Sequence, residues 1–143
     1  MMKSGLLSII AGFMLLGLVT GLSGCSNQPA GLSAELDQGI ILEPGQTVVL
    51  PNESLSIRFV EVISDSRCPT GVQCIWAGEV TSLIEIDYQD QKKNMVLKQP
   101  GSSAGEDQFV NFQLSFTVEP YPEAGSEIKA DDYRLHITIS REP

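Results

Sequence analysis

The side chains best suited to chemistry are concentrated in Asp65-Ser66-Arg67-Cys68-Pro69-Thr70-Gly71-Val72-Gln73-Cys74-Ile75-Trp76-Ala77-Gly78, which holds two of the three cysteines and the single tryptophan. Two cysteines with five residues between them can form a disulfide, a redox pair or half of a metal site. Redox dithiols use two-residue spacing at a helix start, and no helical pattern lies here. Zinc needs about four nitrogen or sulfur ligands, more than this chain offers. In an oxidising compartment Cys68 and Cys74 are therefore expected to be a disulfide. Closing so short a loop stabilises by roughly 2 kcal/mol in the chain-entropy model. Pro69 and Gly71 suit a tight connection, because Pro fixes φ and Gly permits φ > 0. Trp76 is expected to bury against the bridge and cap one end of a β core. The stretch thus reads first as a staple between two strands. The functional alternative is a rigid recognition loop built from Asp65, Arg67, Pro69, Val72 and Trp76, with Arg67 as an anchor for a partner.

Other candidates are weaker. Asp65 and Arg67 flank the first cysteine, and can pair with each other or satisfy backbone groups of the loop. His136 is the only histidine; it falls on the polar phase of a strand pattern, with no Ser or Cys motif pointing to it. Glu85/Asp87, Glu106-Asp107 and Asp131-Asp132 are acidic groups that calcium or a paired-carboxylate hydrolase could use. None has EF-hand spacing, and 18 acids on a small surface bring pairs together by chance. No nucleophile elbow, zinc-helix motif, P-loop or dinucleotide fingerprint occurs. No catalytic residue, metal or cofactor is implied.

The stretch resembles a pattern, D-S-R-C-P-x-x-V-x-C-x-W-A-G, carried by small bacterial secreted proteins and lipoproteins. Val72, Trp76, Ala77 and Gly78 match it, and a looser likeness runs on through Phe109–Val118 and Pro120-Tyr121-Pro122. The resemblance implies an extracytoplasmic compartment and a shared small β fold. It carries over no activity and no ligand.

The N-terminus agrees with that compartment. Lys3 is followed by an uncharged apolar run from Gly5 to Leu22, and then by Leu22-Ser23-Gly24-Cys25. This is similar to a bacterial lipobox, with cleavage before Cys25 and acyl chains such as palmitate on that residue. The alternative is an uncleaved membrane-spanning anchor. Lipidation of Cys25 also accounts for the odd cysteine count, leaving Cys68 and Cys74 to pair. Ser26, in place of Asp, favours the outer membrane if the source has two membranes. The expected site is then its periplasmic face or the cell surface. Removing residues 1–24 takes away one lysine and no acid, so the formal charge moves from −9 to −10. That balance argues against nucleic acid and anionic head-groups as partners.

The elements that must position these residues read as strands. Residues 25–37 are expected to be the lipidated cysteine and a flexible tether that holds the domain clear of the head-groups. Ile40–Leu42 and Gln46–Leu50 are short strands separated by Glu43-Pro44-Gly45. Leu55–Ile63 changes phase at Phe59-Val60, as a β-bulge does, just before the cysteine loop. Val80–Gln89 alternates, and Asn94–Leu97 can return as its hairpin partner. Gln99–Asp107 reads as the longest loop and a second contact surface. Phe109–Val118 is the clearest strand, with Val110, Phe112, Leu114, Phe116 and Val118 on one face. Tyr133–Ser140 is the last. About seven strands without a helix imply an all-β fold, a single antiparallel β-sandwich or partly open barrel over residues 38–143. The functional expectation is a monomeric, lipid-anchored, non-enzymatic binding or envelope-associated module, inhibitor-like in one variant, with a possible protein partner in the envelope. An envelope-acting hydrolase and a purely structural lipoprotein are the alternatives.

Overall fold

Strict alternation of apolar and polar residues builds sheets with one dry face, and two such sheets bury their dry faces against each other. The computed structural model describes residues 31–142. The expected signal segment and Cys25 lie outside the described residues. The described residues form an antiparallel β-sandwich of nine strands. These are β1 (Leu32–Ser33), β2 (Gly39–Leu42), β3 (Thr47–Leu50), β4 (Leu55–Asp65), β5 (Glu79–Tyr88), β6 (Gln91–Pro100), β7 (Gly105–Phe109), β8 (Phe112–Glu119) and β9 (Arg134–Arg141). One sheet has the order β1-β3-β4-β5-β6 and the other β2-β9-β8-β7, so the sandwich is not closed into a barrel. Among the described strands only the short β1–β3 pairing is parallel.

The core follows the alternation. Leu55, Ile57, Phe59, Ile84, Ile86 and Leu97 from the first sheet face Leu42, Phe112, Leu114, Val118, Leu135, Ile137 and Ile139 from the second, all essentially inaccessible to water. Each such side chain contributes about 1.5–3 kcal/mol by leaving water. The phase change in β4 is a bulge between Phe59 and Glu61, and a second irregularity follows between Val62 and Ser64. Each twists the strand more strongly on its way to the cysteine loop.

Three sequence expectations change. Leu32–Ser33, inside the expected tether, pairs with Val48–Val49, and Ala34 is buried in the core. The folded unit therefore starts before residue 38, and Leu32–Ala34 belong to it and not to the expected tether. The expected loop Gln99–Asp107 shrinks to residues 101–104, because β6 runs through Pro100 and β7 starts at Gly105. Gln99 and Gly105 are in fact buried: Gln99 accepts a hydrogen bond from the other sheet, and Gly105 lies where any Cβ would meet the Phe116 ring at 2.4 Å. Finally, Phe109–Val118 is not one strand. Phe109 pairs with Phe112 across a tight turn in which Val110 adopts φ 56° and is exposed. A β-branched residue is costly there, so the pattern gives no warning of a turn.

Candidate functional site

The bulged β4 and β5 are joined by the loop 66–78, whose stem prolongs their pairing. Ser66 N donates to Glu79 O at 2.8 Å, and Cys68 N donates to Ala77 O at 2.8 Å. Gly78 makes this approach possible. It sits at φ +70°, and a Cβ there would lie 1.9 Å from Ser66 O. Its own carbonyl accepts from Gly101 N at 2.9 Å, which docks the stem on the residue 101–104 turn.

Arg67 anchors the root of the loop in the interior. Its side chain is fully buried and its fork is used on all sides. Nε and Nη2 donate to the two carboxylate oxygens of Asp65 at 2.8 and 2.5 Å. Nη1 donates to Val118 O at 2.6 Å, and Nη2 also to Pro120 O at 2.9 Å. The Tyr121 ring lies against the guanidinium, 4.9 Å from its centroid. The physical reason lies in β8. Its partner β7 reaches only as far as Phe116, so the edge of β8 is uncovered at Val118. An unpaired edge in the interior is costly. Gln99 Oε1 accepts from Val118 N at 2.7 Å and Arg67 donates to Val118 O, so one side chain of the first sheet and one of the loop that follows β4 close the open edge of the second sheet.

The electrostatics follow from this packing. Burial raises the Asp65 carboxyl. The hydrogen bonds and charge of Arg67, with the Tyr133 hydroxyl donating at 3.3 Å, outweigh that and hold it below the usual carboxylate range. Burial, and then the Asp65 charge, push the Tyr133 phenol above its ordinary value.

Beyond this root the loop turns outward. Thr70 N donates to Pro122 O at 2.9 Å and Ala124 N to Thr70 O at 3.1 Å, a second tie to the β8–β9 connection. Cys68 and Cys74 are bridged, with sulfurs 2.14 Å apart, and close a small lobe that belongs to neither sheet. The lobe presents Val72, Ile75 and Trp76 to solvent, the last two 95% and 76% exposed. From Cys68 to Gly78 no side chain carries a charge.

The expected residues therefore divide. Asp65 and Arg67 come together, but inside, where Arg67 is unavailable as an exposed anchor. Pro69 is half-buried at the neck. Val72 and Trp76 point out. Trp76 does not cap the core, because the short bridge turns the chain back on itself before the ring can reach a sheet. The bridge does not join two strands. That connection is made by Arg67. Ile75, the most exposed large apolar side chain among the described residues, was not among the expected site residues; its signal was its place beside Trp76 in an uncharged run. Tyr121 and Gln99 carried no signal of their own.

His136 lies on the outer side of β9, level with Ile41 and Thr117 in the neighbouring strands. With Gly39, Ser115 and Thr138 it lines a shallow groove. Among the described residues no three His, Cys, Asp or Glu side chains gather as a metal site would require. The fold and loop define a class: a two-sheet β-sandwich carrying a disulfide-closed, apolar lobe on a pinned root. Compared with family models, curated proteins and solved structures, the chain matches none.

Proposed function

We propose that this protein is a lipid-anchored, extracytoplasmic binding module of the cell envelope, acting by contact and not by catalysis, with the Cys68–Cys74 lobe as its contact surface. One observation carries the proposal: Val72, Ile75 and Trp76 stand in water at the tip of a lobe whose root is held by buried hydrogen bonds. Solvent-exposed apolar clusters on soluble domains mark interaction surfaces. Holding one rigid reduces the entropy lost on association. The apolar N-terminal run ending in Leu-Ser-Gly-Cys25 supports the anchor and the compartment. The compartment in turn suits a disulfide.

The test is capture from the host envelope. The full protein, extracted in mild detergent, is immobilised and exposed to solubilised envelope. Envelope components held by the parent are expected to be lost with Trp76→Ala/Ile75→Ala. Components retained equally by that variant would reduce the lobe to a local closure.

A further inference from the structure

The N-terminal end of β1 points towards the pole that carries the lobe. β1 runs parallel to β3, and β3 runs antiparallel to β4. The N-terminal end of β1 at Leu32 therefore points in the direction in which β4 runs forward, towards Asp65 and the lobe. Leu32 is level with Val48, and Val48 with Ile57. From Ile57 to Asp65 β4 advances about 20 Å, allowing for its two irregularities. From Leu32 back to Cys25 there are seven residue steps, which span at most about 25 Å fully extended. Cys25 can thus lie level with the root of the lobe, and the residues between it and Leu32 are too few to carry it far past that level.

We propose that the lobe is a second membrane contact: Val72, Ile75 and Trp76 enter the head-group boundary of the same bilayer that holds the acyl chains on Cys25. The inference rests on the lipid-anchor reading above. The composition of the lobe fits this occupant. An uncharged run of eleven residues, Cys68–Gly78, lies in a chain of net charge −9. It carries the sole tryptophan at 76% exposure beside an isoleucine at 95%. Tryptophan favours the membrane–water interface, where its ring is apolar and its N–H stays wet. The root is pinned by the buried Arg67 side chain and its hydrogen bonds to Val118 O and Pro120 O, so the tip can be engaged without drawing on the sheets. The acidic domain around it is repelled by anionic head-groups, so the contact selects zwitterionic lipid.

The experiment uses Trp76 as its own reporter. The full protein is purified from host membranes, and the N-terminal peptide is weighed to establish acylation of Cys25. The protein is then reconstituted into phosphatidylethanolamine/phosphatidylcholine vesicles, with and without bromine on the acyl chains. The expected result is a blue-shifted Trp76 emission, quenched by the brominated chains and shielded from acrylamide. Val72→Ser/Ile75→Ser should weaken the quenching several-fold, and anionic vesicles at low salt should do the same. Acylated Cys25 with Trp76 open to acrylamide and indifferent to bromine would overturn the membrane contact and leave the anchor standing, with the lobe free for a protein partner. An unacylated Cys25 would remove the anchor and the tether argument together.

Discussion

Two fasteners lie almost side by side in this chain, and they hold different things. The Cys68–Cys74 bridge joins two Cα atoms 5.9 Å apart within one loop. The Arg67 guanidinium joins that loop to carbonyls 51 and 53 positions away, on a strand of the other sheet and just past its end. The covalent link is the stronger bond and the shorter reach. It shapes the lobe, whereas the ion pair fastens the two sheets at this pole. Strength of a bond and importance to a fold are separate quantities, because a fold is stabilised by what a link prevents from separating.

Breaking the non-covalent fastener should cost most. Arg67→Met keeps much of the volume but leaves Val118 O and Pro120 O without donors and Asp65 without its cation. Removing one partner of a buried pair costs about 3–5 kcal/mol, read as a lower denaturant midpoint. Asp65→Leu added to it should recover only part, since the two carbonyls stay unpaired. Full recovery would mean that the ion pair matters and the edge closure does not.

Cys68→Ser/Cys74→Ser should cost less, up to about 2 kcal/mol by loop-closure entropy. The sheets should remain intact, with an unchanged urea m-value. A loss as large as that of Arg67→Met would reverse the comparison.

The same contrast explains what the sequence made legible. Long-period information was clear. Alternation in β5, β8 and β9 announced an all-β sandwich, and the phase slip in β4 announced its bulge, because both reflect burial of one face. Edges were not legible. β6 begins with Gln91, Lys92, Lys93 and Asn94, all exposed, and β7 reads Gly-Glu-Asp-Gln-Phe. Edge strands carry charge to resist further pairing, so they look like loops. Within the site, pairing of Asp65 with Arg67 was readable from their spacing, but the reach to Val118 and Pro120 was not. It depends on where β7 stops. Trp76 was misjudged because a tryptophan beside a bridge is usually packed on it, and nothing in the residue types says that the lobe stands off the sheets.

Acid should act on the fastener at Asp65 alone. Its carboxyl is held below the usual range by Arg67 and Tyr133, against the upward effect of burial. In the unfolded chain it titrates near the ordinary value of about 3.9. The unfolded state therefore takes up the proton first. The stabilisation is complete above about pH 4 and is lost as pH falls through the lower folded value. Denaturant midpoints followed from pH 6 downwards should fall more steeply for the parent than for Asp65→Asn. Parallel curves would mean that the pair adds nothing to the acid limb.

The smallest expected effect on stability is the most informative about function. Trp76→Ala removes the largest side chain in the lobe, yet the ring is mostly in water. Truncating a buried tryptophan costs about 3–5 kcal/mol, whereas an exposed change away from caps, ties and pairs stays within about 0.5 kcal/mol. An unchanged melt, set beside loss of envelope retention in the variants, separates tip from root: one part serves contact, the other serves the fold. A loss of several kcal/mol would instead return Trp76 to the core as a cap. The contact surface would then lose its centre, and the exposed lobe would be only the outer turn of a staple.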